Sequence, residues 1–252
     1  MLRGIGQLKR NQAALAVRLA ELERRLGGGE RAGTAERVDD PRFGGSITSR
    51  VCTQAQFEAP WFDEWCAALG IDGRWRRKVW EHAYIAHVMA ALGADAPSHR
   101  GLGFGVGREP MVAYFAGRGN TIVATDLDPG DKRTRSWAET DQHAAGQLAE
   151  LVRPELCDPA DFATRVTWRA VDMNEIPGDL DGFDFCWSAC SLEHLGTLAA
   201  GLDFVERSLA TLRPGGIAVH TTEFNVDSDD ETVTEGPTVL YRRRDLIELA
   251  RR

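Results

Sequence analysis

Seven consecutive residues alternate glycine with larger side chains: Gly101-Leu-Gly-Phe-Gly-Val-Gly107. Glycine at every second position strips the side chains from a tight turn, so backbone N–H groups can face a ligand. Nineteen residues after Gly107, the apolar run Ile122-Val-Ala-Thr ends in Asp126. A carboxylate at that place can accept hydrogen bonds from the hydroxyls of a ribose. In order, these segments predict strand, glycine loop, helix, strand and acid, half of a nucleotide-binding α/β domain. The dinucleotide fingerprint G-x-G-x-x-G needs its third glycine where helix packs on strand. Counted from Gly101 that place holds Val106, and counted from Gly103 it holds Arg108, so neither register fits.

The set Gly103, Gly105, Gly107 instead resembles the first motif of class I S-adenosylmethionine-dependent methyltransferases. Further segments follow in that family's order. Ala124-Thr-Asp-Leu-Asp-Pro129 carries Asp126 at the end of the second strand, and Val166-Thr-Trp-Arg-Ala-Val-Asp172-Met173 looks like the third strand. Phe183-Asp-Phe-Cys-Trp-Ser188 with Ser191-Leu-Glu-His-Leu195 resembles the fourth strand and its loop, and Leu212-Arg-Pro-Gly-Gly-Ile-Ala-Val-His220 the fifth. The resemblance covers residues 76 to 225.

The resemblance implies S-adenosylmethionine as cofactor and assigns roles to residues. Gly103, Gly105 and Gly107 let the backbone approach the methionine part, beside a helix N-terminus. Asp126 holds the ribose hydroxyls, Leu127 and Met173 sandwich the adenine, Asp172 bonds its amino group, and Ser188 joins these cofactor contacts. His194 is the first catalytic candidate, because a neutral imidazole can take the proton of an attacking hydroxyl; Glu193 is the second. One departure stands out: many family members carry an acid two positions before the first glycine, where this chain has Gly101. Glu109 and Glu81 are the candidates to replace it. The stretch Arg76-Arg-Lys-Val-Trp-Glu81 through Gly103-Phe-Gly-Val-Gly-Arg-Glu-Pro110 looks like a bacterial subgroup often found alongside glycan-building enzymes. That likeness implies methylation of a sugar or other small hydroxyl acceptor.

Composition narrows the partners. With 30 Lys and Arg against 38 Asp and Glu, the net charge of −8 disfavours nucleic acid, which wants a basic surface. The loop Trp187-Ser-Ala-Cys-Ser also lacks the Asn/Asp-Pro-Pro-Tyr/Phe pattern of enzymes that methylate amines of DNA bases. The basic knot Arg74, Arg76, Arg77, Lys78 reads as a solvated helix start. Five cysteines without a C-x-x-C pair point to reduced thiols and to no metal site; Cys186 and Cys190 lie on a strand and the loop after it. Neither a signal peptide nor a membrane span is evident, so the expected compartment is the cytoplasm.

The elements that must position these residues follow from periodicity. Ile5, Leu8, Leu15, Leu19, Leu22 and Leu26 step by threes and fours, with Gln12 in the one vacant place, predicting an amphipathic helix over 1–26. It either pairs two copies as a short coiled coil or lies on its own domain. Gly27-Gly-Gly29 opens a flexible linker over 27–46. A helical cap rich in aromatics follows over 47–95; the resemblance implies that Lys78, Glu81 and Tyr84 lie near the pocket mouth. Residues 96–252 form the sheet domain, with a polar helix expected over about Thr134–Val152.

The predicted fold is an α/β Rossmann-like sheet of visible strand order 3-2-1-4-5 with N-terminal helices. The terminal strand pair that the resemblance implies is not evident, which reads as an incomplete fragment or as a sheet edge closed differently. The function that follows is methyl transfer to a small-molecule or glycan hydroxyl, with no nucleic acid or membrane partner. The rivals are a non-catalytic cofactor-binding or coiled-coil module and an NAD-dependent oxidoreductase. Affinity for reduced nicotinamide would separate the last from the others.

Overall fold

The computed structural model describes residues 39–40, 45–134, 143 and 148–252. The heptad segment, nearly all of the linker, and most of the polar insertion lie outside the described residues. Asp39–Asp40 and Gly45–Ser46 pair as a short antiparallel ribbon.

Five runs form the strands of one sheet, with β-branched and aromatic residues concentrated in the second, third and fourth. They are β1 (Arg100–Phe104), β2 (Thr121–Asp126), β3 (Val166–Ala170), β4 (Phe183–Ala189) and β5 (Leu212–Thr221). Every neighbour is parallel, and the order is β3-β2-β1-β4-β5, the 3-2-1-4-5 arrangement expected from the motifs. A parallel sheet must be covered on both faces.

One face packs on α2 (Pro60–Ala68), α3 (Arg77–Ala91), α4 (Met111–Gly117) and α5 (Pro159–Arg165). The aromatics ahead of the glycine loop belong to this core: Trp61, Phe62, Trp65 and Trp80 are buried in one cluster with Met111, Phe115, Ile122 and Trp187. Phe57, at the end of the short helix α1 (Gln54–Phe57), stacks on the exposed Trp75. The opposite face packs on α6 (Leu198–Leu209) and on the chain that follows β5, through Leu102, Phe104, Phe204 and Tyr241. Local chemistry sets the helix starts. Asp158 accepts the Ala160 N–H at 2.8 Å ahead of Pro159, and Thr197 accepts the Ala200 N–H at 3.1 Å.

The register of β1 against β4 explains half of the glycine run. Gly101 stands opposite Phe185 and Gly103 opposite Trp187. A Cβ at Gly101 would lie 2.4 Å from Phe185 Cζ, and one at Gly103 would lie 2.6 Å from Trp187 Cζ2. These two glycines seat aromatic rings. An acidic side chain at position 101 is therefore sterically barred here by Phe185.

Where a polar helix is expected, the described ends are 3-10 turns at Lys132–Thr134 and Leu148–Leu151. After β5 the chain returns over the end of the sheet, bridging Thr197 with Glu235 and Phe224 with Tyr241, before α7 (Arg243–Leu249). Tyr241 is fully buried. No helix among the described residues is long and apolar enough to cross a membrane.

Candidate active site

In an open parallel sheet, ligands bind beyond the carboxyl ends of the strands, where the strand order reverses. A cavity of about 740 Å³ opens there. One end is built from Gly105, Gly107, Asp126, Leu127, Asp172 and Met173, and the other from α3, the loop after β4 and the return after β5.

At the first end, Gly105 and Gly107 take positive φ of 58° and 49°. A Cβ on Gly105 would lie 2.7 Å from Ser191 Oγ, so the bare backbone is a requirement of the turn. Asp126 ends β2 and gathers the loop: Oδ2 accepts the Gly107 N–H at 2.9 Å and Oδ1 accepts the Leu127 N–H at 2.8 Å. Burial raises its pKa above the ordinary carboxylate range, opposed by those two N–H groups and by His143. Asp172 accepts the Asn174 N–H at 2.9 Å and the Arg133 guanidinium at 2.8 Å. Glu109 lines the cavity beside the loop, and burial pushes its carboxyl up to about 8 although the Trp187 indole N–H bonds to it.

The second end is crowded with charge. Arg77 pairs with Glu223 and reaches Glu81 Oε1 at 3.3 Å, while Lys78 donates to the Ala189 carbonyl at 2.9 Å. The Cys190 thiol donates to Glu81 Oε1 at 2.9 Å, from a backbone with φ of 50°. Burial, reinforced by Glu193 and Glu81, raises the Cys190 pKa, so the thiol holds its proton. Burial pushes His82 down to about 3, leaving it neutral. Glu193 is only 1% exposed; its Oε2 accepts the Thr222 hydroxyl at 3.1 Å, and its Oε1 has no hydrogen-bond partner among the described residues. His194 Nδ1 lies 2.8 Å from the Pro237 carbonyl and 3.2 Å from Thr238 Oγ1. A carbonyl only accepts, so Nδ1 carries the hydrogen and Nε2 is the acceptor nitrogen of the neutral ring.

The structure thus brings Gly105, Gly107, Asp126, Leu127, Asp172, Met173, Glu193 and His194 to one cavity. Gly103 and Ser188 are not among its lining residues. Gly103 seats Trp187, and Ser188 is fully buried in β4 with its hydroxyl 2.9 Å from His220 Nδ1. Tyr84 is also turned away: its hydroxyl donates to the Thr48 carbonyl and its ring stacks on Trp80. Arg77, His82, Cys190, Glu223 and Pro237 line the cavity without a sequence motif that marks them. The basic knot expected to be solvated sends Arg77 and Lys78 to the cavity.

The sheet order and this cavity define an α/β Rossmann-like fold with its site beyond the carboxyl ends of the strands. No family model matches the chain, and no curated protein matches it. Solved structures are similar to it at low identity. One is an S-adenosylmethionine-dependent methyltransferase from Mesorhizobium loti, 19% identical over 54% of this chain and 53% of that one, with a TM-score of 0.34. Here the match spans about half the length of the neighbour. A second is a 1,6-didemethyltoxoflavin-N1-methyltransferase from Burkholderia thailandensis, 21% identical over 82% and 81% of the two chains, with a TM-score of 0.46. A third is the [4+2]-cyclase SpnF, 18% identical over 71% and 60%, with a TM-score of 0.46.

Proposed function

We propose that this protein transfers a methyl group from S-adenosylmethionine to a hydroxyl of a small molecule or glycan. The observation that carries the reading is the convergence on one cavity of a side-chain-free glycine turn, two strand-end carboxylates and a histidine with an oriented ring. The residues present fit the cofactor. Gly105 leaves room where a Cβ would intrude, Gly107 turns the backbone at positive φ, Asp126 stands ready for the ribose, and Met173 and Leu127 offer apolar surface to a base. Asp172 adds an acceptor for an amino group. When bound, the cofactor supplies a methyl already activated on a sulfonium.

The chain's own residues do the rest. Glu109, held protonated by burial, lines the cavity beside the glycine loop and can donate a hydrogen bond to an anionic group. His194 Nε2 takes the proton of the acceptor hydroxyl as it attacks, and the Pro237 carbonyl stabilises the imidazolium that results. Glu193 orients through Thr222. Alignment in the cavity contributes the larger share of the rate.

Calorimetric titration with S-adenosylhomocysteine, the demethylated product, tests the reading. Micromolar binding is expected, and Asp126→Ala should abolish it; unchanged affinity in that variant would sink the assignment. A sugar screen for acceptors follows a positive result.

A further inference from the structure

We propose that Cys190, Glu193 and Glu223 form a binding site for one divalent transition-metal cation of the zinc type, at the acceptor end of the cavity. Cys190 Sγ and one carboxylate oxygen each from Glu193 and Glu223 lie within 4.8 Å of one another. Donors around a shared ion sit about 2.0–2.3 Å from it, so small torsional changes close the set.

A second observation is independent of that cluster's acidity. Glu193 is 1% exposed, yet its Oε1 has no hydrogen-bond partner among the described residues. An unmet buried carboxylate oxygen is costly, and a cation beside it removes the cost.

The surrounding groups suit ligation. Thr222 donates to Glu193 Oε2 at 3.1 Å and so orients that carboxylate. The Cys190 thiol points its hydrogen at Glu81 Oε1, 2.9 Å away. On binding, the S–H bond breaks, the sulfur pair forms the bond to the metal, and the proton passes to Glu81 and on to water. Among the described residues, Arg77 pairs with Glu81 and Glu223, and Lys78 lies 3.9 Å from Glu81 Oε2. Arg77 yields Glu223 to the metal and keeps Glu81; its side chain is 43% exposed and free to swing.

A thiolate with two carboxylates selects zinc or cobalt over magnesium, which prefers an all-oxygen shell. The remaining position opens to the cavity. If the methyl-transfer reading holds, an acceptor hydroxyl bound there becomes more acidic next to His194; metal binding itself does not depend on that reading.

The test is titration of the reduced, metal-stripped full chain with cobalt(II), followed by the near-ultraviolet thiolate-to-cobalt charge-transfer band. The band should saturate at one ion per chain and disappear in Cys190→Ser. Glu223→Gln should weaken the apparent affinity at least about tenfold; its side chain is 30% exposed, so this variant decides the matter if Cys190→Ser does not fold. A folded wild type without the band, a band surviving Cys190→Ser, or unchanged affinity in Glu223→Gln would each overturn the site. S-adenosylhomocysteine calorimetry on the same sample separates the two proposals, since either ligand can bind while the other fails.

Discussion

Trp187 donates its indole N–H to the carboxyl of Glu109, joining β4 to the turn that enters α4 beside the glycine loop. The indole stabilises an ionised partner, but burial is the larger effect and wins, so the Glu109 pKa rises from 4.5 to about 8.

Stability should therefore depend on pH through Glu109. In the unfolded chain it ionises near 4.5, and in the folded protein only near 8. Between those values the native state holds the extra proton, so this contribution is fully present below about 4.5 and is lost as pH rises through about 8. Glu109→Gln keeps an oxygen for the Trp187 N–H and removes the titration. Its melting temperature relative to wild type should climb across that window and level off above it. A difference that stays flat with pH would refute the assignment.

The glycines of the run should divide by phenotype. Gly101→Ala places a Cβ 2.4 Å from Phe185 Cζ inside the core, an overpacking that costs about 1–3 kcal/mol of stability. Gly105→Ala combines φ of 58° with a Cβ 2.7 Å from Ser191 Oγ. The left-handed conformation alone costs about 1–2 kcal/mol, and the displaced Ser191 disturbs the turn at the cavity. Thermal unfolding beside calorimetry should show Gly105→Ala losing S-adenosylhomocysteine affinity with a modest stability change. A Gly105→Ala variant that binds as wild type would sink the cradle role.

That division was only half legible in the sequence. The strand order and the meeting of Asp126 with the glycine loop followed from motifs in order, because a short parallel strand ending in glycine or acid is a local signal. Ser188 was not legible: Phe183, Phe185 and Trp187 alternate with Asp184, Cys186 and Ser188, which reads as one covered and one open face, yet β4 is buried on both, and the partner that claims the Ser188 hydroxyl, His220, stands on the neighbouring strand. Residues 222–241 carry no periodicity at all, yet they bring Glu223 and Pro237 to the cavity. Their placement depends on Tyr241 packing under α6, a contact between distant parts of the chain.

Gly201→Ala tests that packing. A Cβ there would fall 1.8 Å from Tyr241 Oη and 2.7 Å from the Leu192 carbonyl, so the ring or the helix must shift. The expected loss is about 1–3 kcal/mol. Faster hydrogen exchange across residues 222–241 should accompany it, because the return loses its anchor. Tyr241→Phe gives up only two 3.4 Å hydroxyl contacts, to the Leu192 and Leu198 carbonyls, and should cost about 1 kcal/mol or less. Equal effects from the two variants would mean that the hydroxyl, rather than the fit of the ring against Gly201, holds the segment.

His194 carries the final prediction. The Pro237 carbonyl at 2.8 Å fixes its tautomer, which leaves Nε2 as the nitrogen able to take a proton. General-base catalysis is typically worth about 10²–10⁴-fold. His194→Gln should lower the turnover of an acceptor found in the sugar screen by that order while leaving S-adenosylhomocysteine affinity unchanged, because Asp126 and the glycine turn are untouched. Thr238→Val, which removes only the 3.2 Å contact to the same nitrogen, should have a milder effect on turnover. Steady-state kinetics with both variants would check the pair. Wild-type turnover in His194→Gln would mean that alignment in the cavity alone drives the transfer, and that the imidazole serves to hold residues 237 and 238 against the loop after β4.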